Sequence, residues 1–392
     1  MKKQLLRTLT ASILLMSTSV LAQEAPSRTE CIAPAKPGGG FDLTCKLIQV
    51  SLLETGAIEK PMRVTYMPGG VGAVAYNAIV AQRPGEPGTV VAFSGGSLLN
   101  LSQGKFGRYG VDDVRWLASV GTDYGMIAVR ADSPWKTLKD LMTAMEKDPN
   151  SVVIGAGASI GSQDWMKSAL LAQKANVDPH KMRYVAFEGG GEPVTALMGN
   201  HVQVVSGDLS EMVPYLGATK SACLPSFQKI VCRASLPNIP TAKEQGYDLV
   251  WPIIRGFYVG PKVSDADYQW WVDTFKKLQQ TDEFKKQRDL RGLFEFDMTG
   301  QQLDDYVKKQ VTDYREQAKA FDSRNNRGGN DERSYLCGYL AVAPVSPGYS
   351  SPGRSKANTA MNPSAPRPFS AGDYRPDGAL RAGAVIAPSR HG

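Results

Sequence analysis

A short apolar strand that runs into three consecutive glycines and directly out into a helix admits few architectures, and the body of this chain begins that way. Cys31-Ile32-Ala33-Pro34-Ala35-Lys36 leads into Pro37-Gly38-Gly39-Gly40, and from Phe41 the apolar positions Leu43, Leu47, Ile48, Val50 and Leu52 recur at helical spacing. Backbone N–H groups at such a helix start carry partial positive charge, and glycines let an anion approach them closely. A tight turn serving helix-on-strand packing accounts for one such loop equally well.

A second loop follows within the next forty or so residues. Met62 to Met67 has strand character, Pro68-Gly69-Gly70-Val71-Gly72 breaks it, and Ala73 to Ala81 resumes with Val74, Ala75, Ala78 and Ile79 on one helical face. Two glycine loops at the carboxyl ends of neighbouring strands predict a ligand crevice, because open α/β sheets bind there. Val90 to Phe93 is a third strand, ending in a turn of small residues, Ser94-Gly95-Gly96-Ser97.

Roughly 300 residues between Gln23 and Ser323 suit two lobes better than one core. The crossing into the second is expected near Gly121, where Trp116 to Val120 leads through Gly121-Thr122-Asp123-Tyr124-Gly125 into a strand at Met126 to Val129, followed by Ser133-Pro134 and a helix from about Leu138 to Lys147. There Ser151 to Ile154 precedes the loop Gly155 to Gln163, which carries Ala158, Ser159 and Ser162, and a helix from Asp164 to Lys174. Tyr184 to Phe187 leads into Glu188-Gly189-Gly190-Gly191, and Val202 to Val205 ends in Ser206-Gly207-Asp208. Asp208 either orders its loop or binds a ligand donor. A turn and short helix are predicted over Pro240 to Gly246, then a strand Gly256–Val259 and helices at Asp265–Gln280, Asp282–Arg291 and Gln301–Phe321, the last with a stripe of Leu303, Val307, Val311, Tyr314 and Ala318.

The termini differ from this body. Lys2, Lys3 and Arg7 precede an apolar stretch, Leu9 to Leu21, and Val20-Leu21-Ala22 has the small residues of a signal-peptide cleavage site, so export with cleavage after Ala22 is expected. From Arg324 to Gly392 there are eight Pro, nine Gly and no periodicity, a composition that predicts disorder. That segment carries nine Lys and Arg against four Asp and Glu, so most of the net charge of +7 lies in the termini. The body is close to neutral, which removes the electrostatic case for nucleic-acid binding.

Cysteines and histidines are few. Cys31, Cys45, Cys223, Cys232 and Cys337 have no CxxC spacing, and His180, His201 and His391 are too scattered for a zinc set, so no metal or cofactor is expected. Cys31 and Cys45 flank one strand-loop-helix unit. In an oxidising compartment they either form a disulfide or stay as two buried thiols. Gly157-Ala158-Ser159-Ile160-Gly161 matches the nucleophile-elbow pattern. A Ser159 hydrolase needs a general-base histidine, however, and the one that follows Asp208 is His391 in the tail. Gly155-x-Gly157-x-x-x-Gly161 misses dinucleotide-loop spacing. Catalysis is therefore not expected.

The pairing of Ala33 to Asp42 with Met67 to Gly72, together with Gly155 to Gly161, Tyr184 to Gly191 and Ile239 to Tyr247, resembles the periplasmic solute receptors of tripartite tricarboxylate transporters over about Arg28 to Phe321. The resemblance implies an α/β, type II periplasmic-binding-protein fold: two lobes with a hinge and an interlobe cleft. Residues 23–122 and 237–323 would form one lobe, 123–236 the other, after a signal peptide at 1–22 and before a tail at 324–392. It further implies a monomer that closes on a small carboxylate of the citrate type and delivers it to inner-membrane permease subunits. Ligand contacts would come from Lys36, Pro37, Gly38, Gly39, Gly40, Phe41 and Asp42, from Gly69, Gly70, Val71 and Gly72, and from Ser94 and Gly95. The far lobe would supply Ala158, Ser159, Ser162, Phe187, Glu188, Gly189 and a specificity-tuning Asp208. Residues 217–234 and those past Ser323 depart from the family pattern, abruptly and beside well-matched flanks. Out-of-frame translation would leave that signature, and resequencing the coding DNA checks it.

Overall fold

The computed structural model describes residues 25–215, 221–226 and 239–325, with side chains for 25–215 and 239–316. The expected signal segment, nearly all of the expected tail and most of 217–234 lie outside the described residues.

Among the described residues, nine strands form one sheet. In chain order the elements are β1 (Glu30–Ala33), α1 (Gly40–Glu54), β2 (Arg63–Tyr66), α2 (Ala73–Gln82), β3 (Thr89–Ser94), α3 (Gly95–Ser102), β4 (Arg115–Arg130), α4 (Leu138–Lys147), β5 (Val153–Gly157), α5 (Gln163–Lys174), β6 (Arg183–Phe187), α6 (Gly191–Met198), β7 (Val204–Asp208), α7 (Leu209–Met212), β8 (Ser221–Ser226), β9 (Pro252–Val259), α8 (Asp265–Leu278), α9 (Asp282–Leu290) and α10 (Gln301–Asn325). The spatial order is β2-β1-β3-β9-β4-β7-β5-β6, with β8 also pairing β4. β1 runs parallel to β2 and β3, and β5 parallel to β6 and β7.

Alternation along the strands assigns each side chain to a face. In β1, Cys31 and Ala33 pack with Leu47, Ile48 and Leu52 of α1 and with Trp271 and Phe275 of α8. Ile32 packs on the other face with Tyr76 and Ile79 of α2, Leu98 of α3 and Val307 and Val311 of α10. β4 repeats the device further on. Ile127 and Val129 meet α4 and α5, whereas Met126 and Ala128 meet Val194 and Leu197 of α6. Each half of the sheet is thus covered by helices on both faces, the condition for a largely parallel α/β layer.

β4 joins the halves. It pairs antiparallel with β9 from Arg115 to Tyr124 and with β7 from Gly125 to Val129. Gly121 to Gly125, through which the crossing is expected, are strand, because these residues find backbone partners on their neighbours. Thr122 also exchanges both backbone hydrogen bonds with Phe294, at 2.9 and 2.8 Å. A Cβ on Gly121 would lie 2.8 Å from the Phe294 carbonyl oxygen, so the glycine serves a close approach and not a bend.

Other elements run further than their sequence signals. β5 continues through Gly155 to Gly157, and Cβ atoms there would meet Val202 at 3.1 Å and Gly189 at 2.8 Å. β7 carries on to Asp208, and α10 to Asn325. Ser94 to Ser97, read as a turn, is the capped start of α3: Ser94 and Ser97 form a reciprocal capping box. The short helix expected in Pro240 to Gly246 is a run of turns, closed by Glu244 accepting from the Thr241 backbone and hydroxyl at 2.7 and 3.0 Å.

Candidate binding site

The carboxyl ends of β1, β2 and β3 from one half, and of β5, β6 and β7 from the other, face a cavity of 410 Å³. Of the residues singled out in the sequence, Gly40, Phe41, Gly69, Gly70, Val71, Ser94, Ala158, Ser159, Ser162, Phe187, Glu188, Gly189 and Asp208 line it. Its wall also includes Ala35, Asn100, Lys105, Gln163, Asp164, Glu192, Glu211 and Arg255.

Lys36, Pro37, Gly38, Gly39, Asp42, Gly72 and Gly95 are not in the wall. Lys36 turns outward and pairs with Glu192 across the cleft at 2.7 Å. Asp42 is buried in service of its own loop, accepting from Gly38 N at 2.8 Å and from the Tyr66 hydroxyl at 2.9 Å and pairing with Lys46. Gly39 caps α1 within 3.1 Å of Gly190 N, measured from an ideal Cβ. Gly72 holds a left-handed φ of 106° against Ser97, and Gly95 packs on Ile253. The opening loop's amides, expected bare, already have acceptors: Gly38 N donates to Asp42, and Gly40 N donates to Glu211 Oε1 at 2.9 Å. Cys31 and Cys45 form a disulfide, with Cα atoms 5.7 Å apart, that ties the floor of β1 to α1.

Beneath the loops lies a buried charge network. Arg255, on β9, donates from Nη2 to Asp123 at 2.8 Å and to Asp208 at 2.7 Å. Lys167, wholly buried on α5, reaches Asp164 at 2.8 Å, Asp208 at 2.7 Å and the Gly207 carbonyl at 2.6 Å. Asp123 also accepts from the Ser210 hydroxyl and backbone. Burial works against the charge on Asp208, yet Lys167 and Arg255 hold its carboxyl below the usual range. Burial, with help from Asp208 and against Lys167, pushes Asp164 up to about 6. Burial and the Asp208 and Asp164 carboxylates push Glu211 up to about 8. Burial alone lowers Lys105.

Sequence reasoning missed this network. Arg255 and Lys167 each interrupt a run otherwise destined for burial, and Asp123 and Asp164 carry the opposite sign in comparable runs. Isolated charges of both signs in buried segments are the signal that was available, since such charges persist only when paired.

Among the described residues, Arg255 Nε, Gln163 Oε1 and Asn100 Oδ1 are buried atoms of the wall without a hydrogen-bond partner, while Asp164 Oδ1 has its ion pair with Lys167. A buried orphan is costly, by about 1–3 kcal/mol, and points to a guest that satisfies it. Ser159 is exposed at the rim, and neither His180 nor His201, both exposed, lines the cavity; His391 lies outside the described residues. Among the described residues no three His, Cys, Asp or Glu side chains are disposed to hold a metal ion.

Two α/β halves joined through a shared strand, with a polar cavity between their strand ends, define a two-lobed solute-binding protein. Residues 65–321 match the family described as tripartite tricarboxylate transporter family receptor, and the chain belongs to that family. A Cupriavidus necator protein called UPF0065 protein in gbd 5'region is 28% identical over 190 residues, 48% of this chain and 54% of that protein, so the match spans about half of the relative's length. MatC from Rhodopseudomonas palustris, solved with bound malate, superposes with a TM-score of 0.63 at 18% identity, covering 74% of this chain and 99% of its own. A second R. palustris protein, solved with adipate, gives 0.65 at 15% identity, covering 76% and 98%. These two likenesses carry the fold alone.

Proposed function

We propose that this chain is an extracytoplasmic receptor that captures a small di- or tricarboxylate, of the citrate type, between its lobes and delivers it to the inner-membrane subunits of a tripartite tricarboxylate transporter. The observation that carries this reading is the convergence of six strand ends on one cavity whose wall contains buried, unsatisfied polar atoms. The malate and adipate held by the two structural relatives support the chemical class. In this reading residues 23–122 and 237–323 form one lobe, residues 123–236 the other, and Met1 to Ala22 is a signal peptide removed on export to the periplasm. The receptor works as a monomer and catalyses nothing.

The cavity suits a guest of this size. Gly69, Gly70 and Val71 bring main-chain groups to one side, and Ala158, Ser159 and Ser162 bring main-chain and hydroxyl groups to the other. Closure follows from contacts that exist only when both lobes engage the guest.

A thermal-shift screen of the exported protein against malate, adipate and citrate tests the reading. Stabilisation that saturates with concentration is the expected result. Its absence for every acid would contradict the reading, and ester hydrolysis that disappears in Ser159→Ala would favour a Ser159 hydrolase instead.

A further inference from the structure

Glu211 occupies an unusual place for a carboxyl group in a cleft read as an anion receptor. Its Oε1 accepts from Gly40 N, at the start of the 15-residue helix α1, and its Oε2 accepts from Asp208 N at 3.1 Å. One side chain thus joins backbone from both halves of the molecule. Glycines make room for it: a Cβ on Gly190 would lie 2.0 Å from Oε1, and one on Gly207 3.0 Å from Oε2. Directly beside it, the Arg255 guanidinium lies 2.2 to 2.4 Å from where a Gly40 Cβ would be. The main-chain donor to which an incoming carboxylate would go therefore already holds the protein's own.

The groups facing Glu211 add up to an excess of negative charge. Asp208 from β7 and Asp164 from α5 act on it directly against Arg255 from β9, and Asp123 from β4 and Lys167 from α5 complete the network around these groups. Between them the two cations pair with the three aspartates, and Lys167 also donates to the Gly207 carbonyl. Asp42 of α1 is turned to Lys46, and Glu192 of α6 to Lys36, while Glu188 adds another carboxyl to the wall. The positive end of α1 favours an ionised Glu211. Burial and the neighbouring carboxylates oppose it, and they prevail. A guest carrying further negative charge into so confined a space adds repulsion that a single proton relieves.

We propose that Glu211 is a specificity-determining group that takes up a proton from solvent when an anionic ligand binds, so that capture of a dicarboxylate is coupled to binding of one proton at the seam between the halves. This inference rests on the carboxylate-receptor reading. The protonated carboxyl keeps its place, accepting from Gly40 N through its carbonyl oxygen. Arg255 Nε and Gln163 Oε1, both buried and unpartnered in the same wall, remain for the guest.

Titration calorimetry with malate, run in buffers of differing ionisation enthalpy, counts the protons directly and needs no variant. Uptake is expected to be small at neutral pH, to reach about half a proton per malate near pH 8 and to approach one at higher pH, with the wild-type affinity weakening by up to about tenfold per pH unit above about pH 8. In Glu211→Gln the uptake and the slope disappear, and affinity at about pH 9 rises toward the wild-type value at about pH 7. Malate binding with no proton uptake and a flat pH profile in the wild type would overturn the proposal while leaving the receptor reading intact. The same slope in Glu211→Gln would overturn it too. Failure of malate, adipate and citrate to bind at any pH would remove both readings.

Discussion

Arg255 holds Asp123 of the shared strand and Asp208 of the second half through one nitrogen, at 2.8 and 2.7 Å, and is 2% exposed. Replacing it with alanine leaves two buried carboxylates without that partner. A broken buried pair of this kind destabilises a fold by roughly 3–5 kcal/mol. Arg255→Ala is therefore expected to lower the urea midpoint strongly, whereas loss of an exposed arginine such as Arg108 leaves it nearly unchanged. Glu211 makes a pH-dependent prediction. Its carboxyl sits above its ordinary value in the folded chain, at about 8, so the folded state holds the proton more tightly than the unfolded one. The stability this contributes is complete below the ordinary glutamate range and is lost as pH rises through about 8. Asp164, raised to about 6, adds a loss at lower pH, so the decline between the two values belongs to Glu211. Urea midpoints across this range should fall for the wild type and stay nearly level for Glu211→Gln. Of these residues only Asp208 stood out in the sequence, by its place at a strand end; a charge inside an apolar run identifies no partner until the chain is folded. The glycines did stand out, because a missing side chain matters locally.

The strand-loop-helix unit from β1 to α1 shows what elements add to residues. Its strand, its loop and its helix were legible from alternation, the glycine run and helical spacing, and α4 lies at Leu138–Lys147, where the spacing had placed it. Elements that depend on remote partners were not legible. β4 runs unbroken through Gly121 because β9 and the Phe294 segment supply its hydrogen bonds from far along the chain. α3 begins with glycines that sequence reasoning takes for a turn, although a Cβ on Gly96 would come within 3.0 Å of Gln163 across the cavity. At this scale the disulfide is the testable feature. It closes a loop of 14 residues, a span for which restriction of the unfolded chain is worth about 3 kcal/mol. Reduction, or paired Cys31→Ser and Cys45→Ser substitution, should lower the urea midpoint to match, and an unchanged midpoint would mean that packing of β1 on α1 suffices by itself.

Across the whole molecule the halves meet through few contacts of different character. Lys36 pairs with Glu192 near the surface, with side chains 49% and 35% exposed, whereas Gly40 N to Glu211 and Arg255 to Asp208 are buried. An exposed pair contributes at most about 1 kcal/mol and less in salt. Lys36→Ala should leave the melting temperature nearly unchanged, while Arg255→Ala should loosen the seam; intramolecular distance measurements between labels on the two halves distinguish the cases. Family membership was legible in the sequence because glycine motifs persist at strand ends. The geometry of the seam was not, since it arises from residues that are more than a hundred positions apart, such as Gly40 and Glu211. Amide hydrogen exchange with and without saturating malate decides whether both halves grip the guest. If a carboxylate is held between the halves, peptides covering Gly69 to Val71 and those covering Ala158 to Ser162 and Phe187 to Gly190 will be protected together. Protection confined to one half, or none at saturation, would contradict it.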